Sequence, residues 1–277
     1  MSEKEKSPLR YSIFDPTGNI TALVESPVDE SEQPAVAAAI MARHTAVEQV
    51  GFVRLSDEKT AAAALRMAGG EFCANASMSA AALSALRLGL YEGELTLAVS
   101  GAEDTVAVRL KQEVEGGFLA AVRMPEAPEI TEIPFACGGR TGRIPLVRME
   151  GIDHAVLTPD CPFFALRDRP SAAEKAVREL CASLGAVCLG LMFLEGAGEQ
   201  RRLTPLVYVP GSDTLFWESS CASGSAAAGM LLARQSGERT ELELLEPGGV
   251  LRVESNPRRG ETWLFGRTKL TGEYGVG

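Results

Sequence analysis

The chain carries one pattern twice. The first copy reads Glu71-Phe72-Cys73-Ala74-Asn75-Ala76-Ser77-Met78-Ser79-Ala80-Ala81-Ala82-Leu83. The second reads Ser219-Ser220-Cys221-Ala222-Ser223-Gly224-Ser225-Ala226-Ala227-Ala228-Gly229-Met230-Leu231. Each is Cys-Ala followed by small residues, and each runs out in a basic residue and a glycine: Arg87 and Gly89, then Arg234 and Gly237. Downstream, Glu94-Leu95-Thr96-Leu97 matches Glu241-Leu242-Glu243-Leu244. A strand pair follows in each copy, 105–111 with 118–123 around Gly116-Gly117, and 250–254 with 262–267 around Arg259-Gly260. Glycine between alternating apolar stretches marks a hairpin. The copies also begin alike, with β-prone runs at 20–24 and 155–157 closed by Pro27 and Pro159. Pro125, Pro128 and Pro134 punctuate a polar stretch between them, which reads as the linker.

The segments that start at Cys73 and Cys221 are small and weakly polar all round, not striped. A helix without a polar face is a buried one, and Ala, Gly and Ser let strands approach its backbone closely. A more amphipathic helix at 172–184 is expected to cover the outside of the second half, and 35–43 that of the first. The expected fold is α+β: two pseudo-symmetric lobes, each a mixed β-sheet curled around a central helix. The first lobe is 1–127 with Cys73 and the second 128–265 with Cys221.

At 277 residues, 45% apolar and 23% charged, the chain is long enough for two domains and apolar enough for a core. Its formal net charge of −10 argues against a nucleic-acid partner, which calls for a basic face. The best apolar run, 186–194, is far short of the ~20 residues that cross a bilayer. Met1-Ser2-Glu3-Lys4-Glu5-Lys6 is charged and no apolar segment follows, so neither a membrane nor a signal peptide is expected, and the location is expected to be cytoplasmic. The six cysteines, Cys73, Cys137, Cys161, Cys181, Cys188 and Cys221, have no C-x-x-C spacing, and the only histidines are His44 and His154, which argues against a metal site.

A helix amino end exposes unpaired N–H groups and partial positive charge. A thiol placed there is expected to have a lowered pKa, and the N–H groups can hold a carboxylate. If two such ends meet, two thiols face each other across an anion site. Racemisation needs that arrangement: a base on one face of a carbon and an acid on the other, interchangeable because the reaction is nearly balanced. Cys137, Cys161, Cys181 and Cys188 lack a repeat partner and read as core thiols.

At these residues the chain resembles the superfamily of diaminopimelate epimerases and proline racemases, cofactor-independent enzymes that use two cysteines. Their Cys-Gly-Asn stands here as Cys73-Ala74-Asn75, and their Cys-Gly-Thr or Cys-Gly-Ser as Cys221-Ala222-Ser223. Alanine in place of glycine suits a helical backbone and not a positive φ. Pro16-Thr17-Gly18-Asn19 resembles the family's N-terminal Gly-Asn, and Val47-Glu48-Gln49-Val50-Gly51-Phe52 its segment with a binding Asp-Gln pair. Glu246-Pro247-Gly248-Gly249 resembles its turn after the second helix. The Glu-Arg pair that diaminopimelate epimerases carry before the second cysteine is replaced by Ser212-Asp213, and their Gly-Asn-Pro-His by Gly151-Ile152-Asp153-His154. The chain is most similar to the narrower branch of histidine racemases of opine-type metallophore biosynthesis. It shares with them Gly18-Asn19-Ile20-Thr21, Glu48 to Phe52, Glu71-Phe72-Cys73, Trp217 to Cys221, and Pro247-Gly248-Gly249.

The resemblance implies catalysis by Cys73 and Cys221 on a small amino-acid substrate, with no cofactor, and a C-terminal segment, 266–277, that returns to the first lobe. It implies binding roles for Asn19, Gln49, Ala74, Asn75, Ala222 and Ser223, and more loosely for Glu48, Glu218 and His154. By themselves Asn19 reads as a turn residue and Asn75 as a helix-start residue, Gln49 as a strand-edge glutamine and His154 as a core histidine. Glu48, Glu71 and Glu218 read as pocket carboxylates able to accept hydrogen bonds from an imidazole substrate, and Glu71 and Glu218 equally as dipole-complementing glutamates of the first turns; Trp217 either walls the pocket or packs. Diaminopimelate epimerase is the alternative within the superfamily. A hydrolase pairing one cysteine with His154 and a non-catalytic amino-acid binder are the alternatives outside it. No glycine-rich phosphate loop beside a Schiff-base lysine stands out. A homodimer is among the expected assemblies.

Overall fold

Period-two burial builds most of this molecule. The computed structural model describes residues 9–56, 61–127 and 129–275; Met1 to Lys6 and Pro128 of the expected linker lie outside them. In chain order the elements are β1 (Tyr11–Pro16), β2 (Thr21–Val24), α1 (Gln33–Arg43), β3 (Gln49–Leu55), β4 (Ala63–Met67), α2 (Ala74–Leu88), β5 (Glu92–Val99), β6 (Val106–Gln112) and β7 (Phe118–Arg123). They continue as β8 (Glu129–Cys137), β9 (Arg140–Met149), β10 (Ile152–Leu157), α3 (Pro170–Leu184), β11 (Leu189–Glu195), β12 (Gln200–Val209), β13 (Thr214–Trp217), α4 (Ala222–Ser236), β14 (Thr240–Glu246), β15 (Gly249–Asn256) and β16 (Glu261–Tyr274). Among the described residues no helix is long and apolar enough to cross a membrane.

The protein is α+β and dominated by its sheet. Strands β1 to β7 lie side by side in order, β16 follows β7, and β16 also pairs with β1, which closes an eight-stranded barrel. The long β16 manages this in three steps: residues up to Phe265 pair with β15, Trp263 to Thr268 with β7, and Thr268 to Tyr274 with β1. Helix α2 touches every strand of that barrel. From β1 to β7 the pairings run antiparallel, parallel, antiparallel, parallel, antiparallel, antiparallel. The same order recurs through β9, β10, β11, β12, β14, β15 and β16. Helix α4 packs against six of these seven strands.

The two inner helices show how a core can be made of small residues. Twelve of the fifteen residues of α2, Ala74 to Ala85, are buried. Its serines are tolerated because each hydroxyl donates to a carbonyl one turn back: Ser77 to Cys73 (2.8 Å), Ser79 to Asn75 (3.0 Å) and Ser84 to Ala80 (2.8 Å). That local bond satisfies a group whose burial would otherwise cost about 1–3 kcal/mol. Gly89 and Gly237 end the helices in the left-handed region, with φ of 66° and 72°. Outside, α3 buries Ala173, Ala176, Val177, Leu180 and Cys181, one stripe at helical spacing, as the amphipathic pattern requires.

One expectation is overturned. Pro134 belongs to no linker, since it lies inside β8, opposite Arg143. Strand β8 is hydrogen-bonded to β9 alone, and an edge strand tolerates a residue without an N–H.

Two glycine pairs press the turns around the helix starts together. A Cβ on Gly248 would lie 2.7 Å from Gly18 Cα, and one on Gly151 would lie 2.6 Å from Gly101 Cα and 2.8 Å from Phe72 N. Gly248 has no positive φ, so space alone forbids a side chain there. Gly248→Ala is expected to lower stability by about 1–3 kcal/mol, read as a lower urea midpoint at unchanged slope. An unchanged midpoint would show that the two turns can separate freely.

Candidate active site

Cys73 and Cys221 are the N-cap residues of α2 and α4. Both have extended backbones, with φ/ψ of −137°/111° and −124°/96°, which turns each side chain back over the first helical turn. The Cys73 Sγ accepts the Ala76 N–H at 3.3 Å and donates to Gln49 Oε1 at 3.0 Å. Gln49 is held by donating through Nε2 to Thr21 Oγ1 at 2.7 Å. The Cys221 N–H donates to Glu246 Oε2 at 2.6 Å, and its Sγ lies 3.7 Å from Ser223 Oγ. Glu218 lines the same cavity as Cys221, and its charge raises that thiol. Ala74 and Ala222 are first helical residues without a positive φ, so alanine fits where the resemblance has glycine.

Both cysteines line one cavity of about 70 Å³. Ala74, Asn75, Ala222 and Ser223 line it from the two helix starts, and Glu48, Gln49, Glu71 and Glu218 line it from the strands and their approaches. Its apolar wall comes from Ala37, Ala38 and Met41 of α1 and from Ile152, Val207 and Phe216. The cavity is thus acidic and apolar, with helix N–H groups at its base.

The structure separates the remaining sequence candidates. Asn19 is buried and does not line the cavity; its Nδ2 donates to Glu48 Oε2 (3.1 Å) and to the Ser220 carbonyl (2.8 Å). Asn75 Nδ2 donates to the same carbonyl at 3.0 Å, so the segment before Cys221 is tied to α2 and to the β1–β2 turn. His154 is wholly buried on β10 beside Gly190, away from the cavity lining, and burial pushes its pKa down to about 3. A hydrolase that uses His154 as its base loses that base. Trp217 packs: its ring stacks on Phe193 and its Nε1–H donates to Glu174, while Thr214 and Phe216 on the other face of β13 line the cavity. Glu71 and Glu218 are not first-turn residues, since each precedes its helix.

The thiols also correct an expectation. Burial, then the charges of Glu218 and Glu71, push the Cys73 thiol up to about 12 against the N–H of Ala76 and the amide of Gln49. Burial and the charges of Glu218 and Glu246 push Cys221 well above the ordinary thiol value. The favourable helix ends are outweighed by desolvation and by acids. Glu218 and Glu246 are themselves raised to about 8, first by burial.

Two cavity or cap residues, Glu246 and Cys188, escaped the sequence reading. Glu246 accepts the Cys221 N–H and the Ser225 hydroxyl, holding α4 at its start. It was legible in β14, where Leu242, Leu244 and Glu246 share the inward register and only the last is polar. Glu71, read both as a pocket carboxylate and as a dipole partner, lines the cavity. Cys188, read as core, is buried and also lines the cavity; Cys181 is buried, and Cys137 and Cys161 are half-buried.

A barrel closed by β16 and a cleft with one thiol at each of two helix starts define a racemase-type isomerase. The family described as the histidine racemase CntK N-terminal domain matches residues 8–269, and the chain belongs to it. The chain is 30% identical over 253 residues to the histidine racemase of Staphylococcus aureus, covering 89% of this chain and 88% of that one. It is 28% identical over 251 residues to the histidine racemase of Fusobacterium nucleatum subsp. nucleatum, covering 88% of each. A hydroxyproline epimerase from Agrobacterium vitis matches with a TM-score of 0.65 at 13% identity, covering 98% of this chain and 92% of that one, which is a likeness of fold.

The buried Glu246 gives a pH prediction. Its carboxyl is raised from 4.5 to about 8, so the folded state holds the extra proton between those values. Its stabilising contribution is complete below pH 4.5 and is lost as pH rises through about 8. The melting temperature is expected to fall across this window and to fall less in Glu246→Gln. Equal slopes in both proteins would contradict the buried acid.

Proposed function

We propose that this enzyme is a histidine racemase that exchanges the α-proton between Cys73 and Cys221 without a cofactor. The observation that carries the reading is that the two cysteines, each at the start of a buried helix, line a single cavity. The organisation proposed with it is two lobes, 1–127 and 128–265, with 266–277 returning to the first. The enzyme is proposed to work in the cytoplasm as a homodimer and, by its family resemblance, to serve metallophore biosynthesis.

The substrate carboxylate binds the N–H groups at the helix starts, where it answers their partial positive charge. One sulfur, as thiolate, takes the proton from one face of Cα. The electron pair spreads into the carboxylate, whose growing charge the helix ends stabilise. The other cysteine, as thiol, delivers its proton to the opposite face. The product leaves the two sulfurs with exchanged roles, and the reverse reaction resets them. Asn75, Gln49 and Ser223 position the ligand or the sulfurs. Asn19 acts one step back, by fixing Glu48 and the Ser220 carbonyl.

Both thiols rest protonated in the free enzyme, so a first ionisation is needed. Glu218, which lines the cavity with Cys221, supplies it: once ionised, it accepts the Cys221 proton. The substrate ammonium, arriving in a cavity of acids, favours the thiolate by its positive charge.

The test is deuterium wash-in at Cα of L-histidine in D2O with chiral product analysis. Cys73→Ala and Cys221→Ala are each expected to slow racemisation by on the order of 100- to 10,000-fold; normal turnover in either removes the mechanism. L,L-diaminopimelate assayed alongside must be the poorer substrate, and a strong preference for it would refute the histidine assignment. Because Glu218 ionises above its pKa of about 8, exchange should rise as pH increases through that value. Glu218→Gln should abolish this rise, and a profile unchanged in that variant would exclude Glu218 as the acceptor.

A further inference from the structure

Four carboxylates crowd the helix starts, and two of them are already committed to hydrogen bonds. Glu48 takes the Ser219 N–H and hydroxyl and the Asn19 amide. Glu246 takes the Cys221 N–H and the Ser225 hydroxyl. Glu218 lines the cavity with Cys221, whose thiol its charge raises. Glu71 is different: it is 9% exposed, it lines the cavity, and its buried Oε2 has no hydrogen-bond partner. An unpaired buried acceptor costs about 1–3 kcal/mol, more when charged. An oxygen left this way in a binding cavity is a place for a donor that the ligand brings.

The surroundings say what kind of donor. The carboxylate stands beside Gly69, next to Val209 and Ser212: a Cβ on Gly69 would meet Val209 Cγ1 at 2.4 Å, Glu71 Oε2 at 2.7 Å and Ser212 Oγ at 3.4 Å. Ser212 is bonded to Thr214 at 2.9 Å, and both line the cavity. The polar groups of the cavity therefore fall into two sets. Glu48, Gln49, Asn75, Glu218, Ser223 and the thiols gather at the helix starts, where the reacting carbon belongs. Glu71, Ser212 and Thr214 gather along the approach to α2 and the β12–β13 turn, beside the apolar Val209 and Phe216. An apolar slot with one unpaired carboxyl oxygen and a hydroxyl suits a flat ring that carries N–H. Burial raises the Glu71 carboxyl above its ordinary value, and Arg66, the one cation that opposes this, is engaged by Glu30 and by the Met67 carbonyl.

The geometry points to Glu71 as the specificity residue of the cavity: its free oxygen accepts the ring N–H of an imidazole side chain, and Ser212 stands within reach of the same subsite. This rests on the racemase reading and names the part of the site that chooses the side chain. An apolar ring in the slot would leave the buried oxygen unpaired, and a site built this way rejects the analogue that lacks the donor.

The experiment compares L-histidine with L-3-(2-thienyl)alanine, whose five-membered ring has no N–H, in the wild-type protein, Glu71→Gln and Glu71→Ala. Glu71→Ala should lower α-proton exchange of histidine by about 10- to 100-fold in kcat/KM while leaving the weak exchange of thienylalanine in place, so the preference collapses. Glu71→Gln, which keeps an acceptor oxygen without the charge, should fall between. Retention of the full wild-type preference in both variants overturns the proposal. Calorimetry with L-histidine separates its failure from that of the racemase reading. If the wild-type protein binds histidine, exchanges nothing, and Glu71→Gln weakens binding about tenfold, the anchor stands and the racemase reading falls. If exchange persists and Glu71→Gln binds histidine as the wild type does, the racemase reading stands and the anchor falls.

Discussion

The molecule is organised by the burial of two helix amino ends at one place. A helix start has N–H groups that water or side chains must satisfy, and here two such starts lie inside the protein. Their local partners are few and specific: the Cys73 sulfur for α2, and Glu246 for the approach to α4. The helices could be sunk this deeply because they are made of Ala, Gly and Ser, with hydroxyls bonded one turn back. Barrel closure by β16, the touching glycine turns and the shared Ser220 carbonyl then hold the two starts against each other.

That constraint explains an apparent conflict in the site. Burial makes the thiols reluctant to ionise, although helix starts favour thiolates. In water-exposed sites the dipole would win, whereas here the loss of solvent and the ring of carboxylates do. A cavity of this kind is poised for a ligand that brings positive charge and N–H donors. Its acids are raised too, so the empty site holds protons that a cationic ligand is able to displace.

Much of this was legible in the residues. The duplication located α2 and α4, their glycine ends and the hairpins after them, because small-residue helices and glycine turns leave strong local signals. Gln49, Asn75 and Ser223 line the cavity along with the two cysteines. What stayed hidden depended on register and depth. His154 and Ile152 share a face of β10, and only coordinates tell that Ile152 reaches the cavity while His154 is sealed in behind it. Pro134 imitates a linker because an edge strand and a loop make the same demand on proline. Glu246 was recoverable from the alternation of β14, whereas Glu71, legible as a pocket carboxylate, gave no sign in sequence that its buried oxygen has no partner.

A crystal structure with histidine bound tests the central claim most directly. The account predicts the α-carbon between the sulfurs, about 3–3.5 Å from each and approached from opposite faces, with the carboxylate on the helix N–H groups. An α-carbon within reach of one sulfur only, or both sulfurs on the same face, would contradict it.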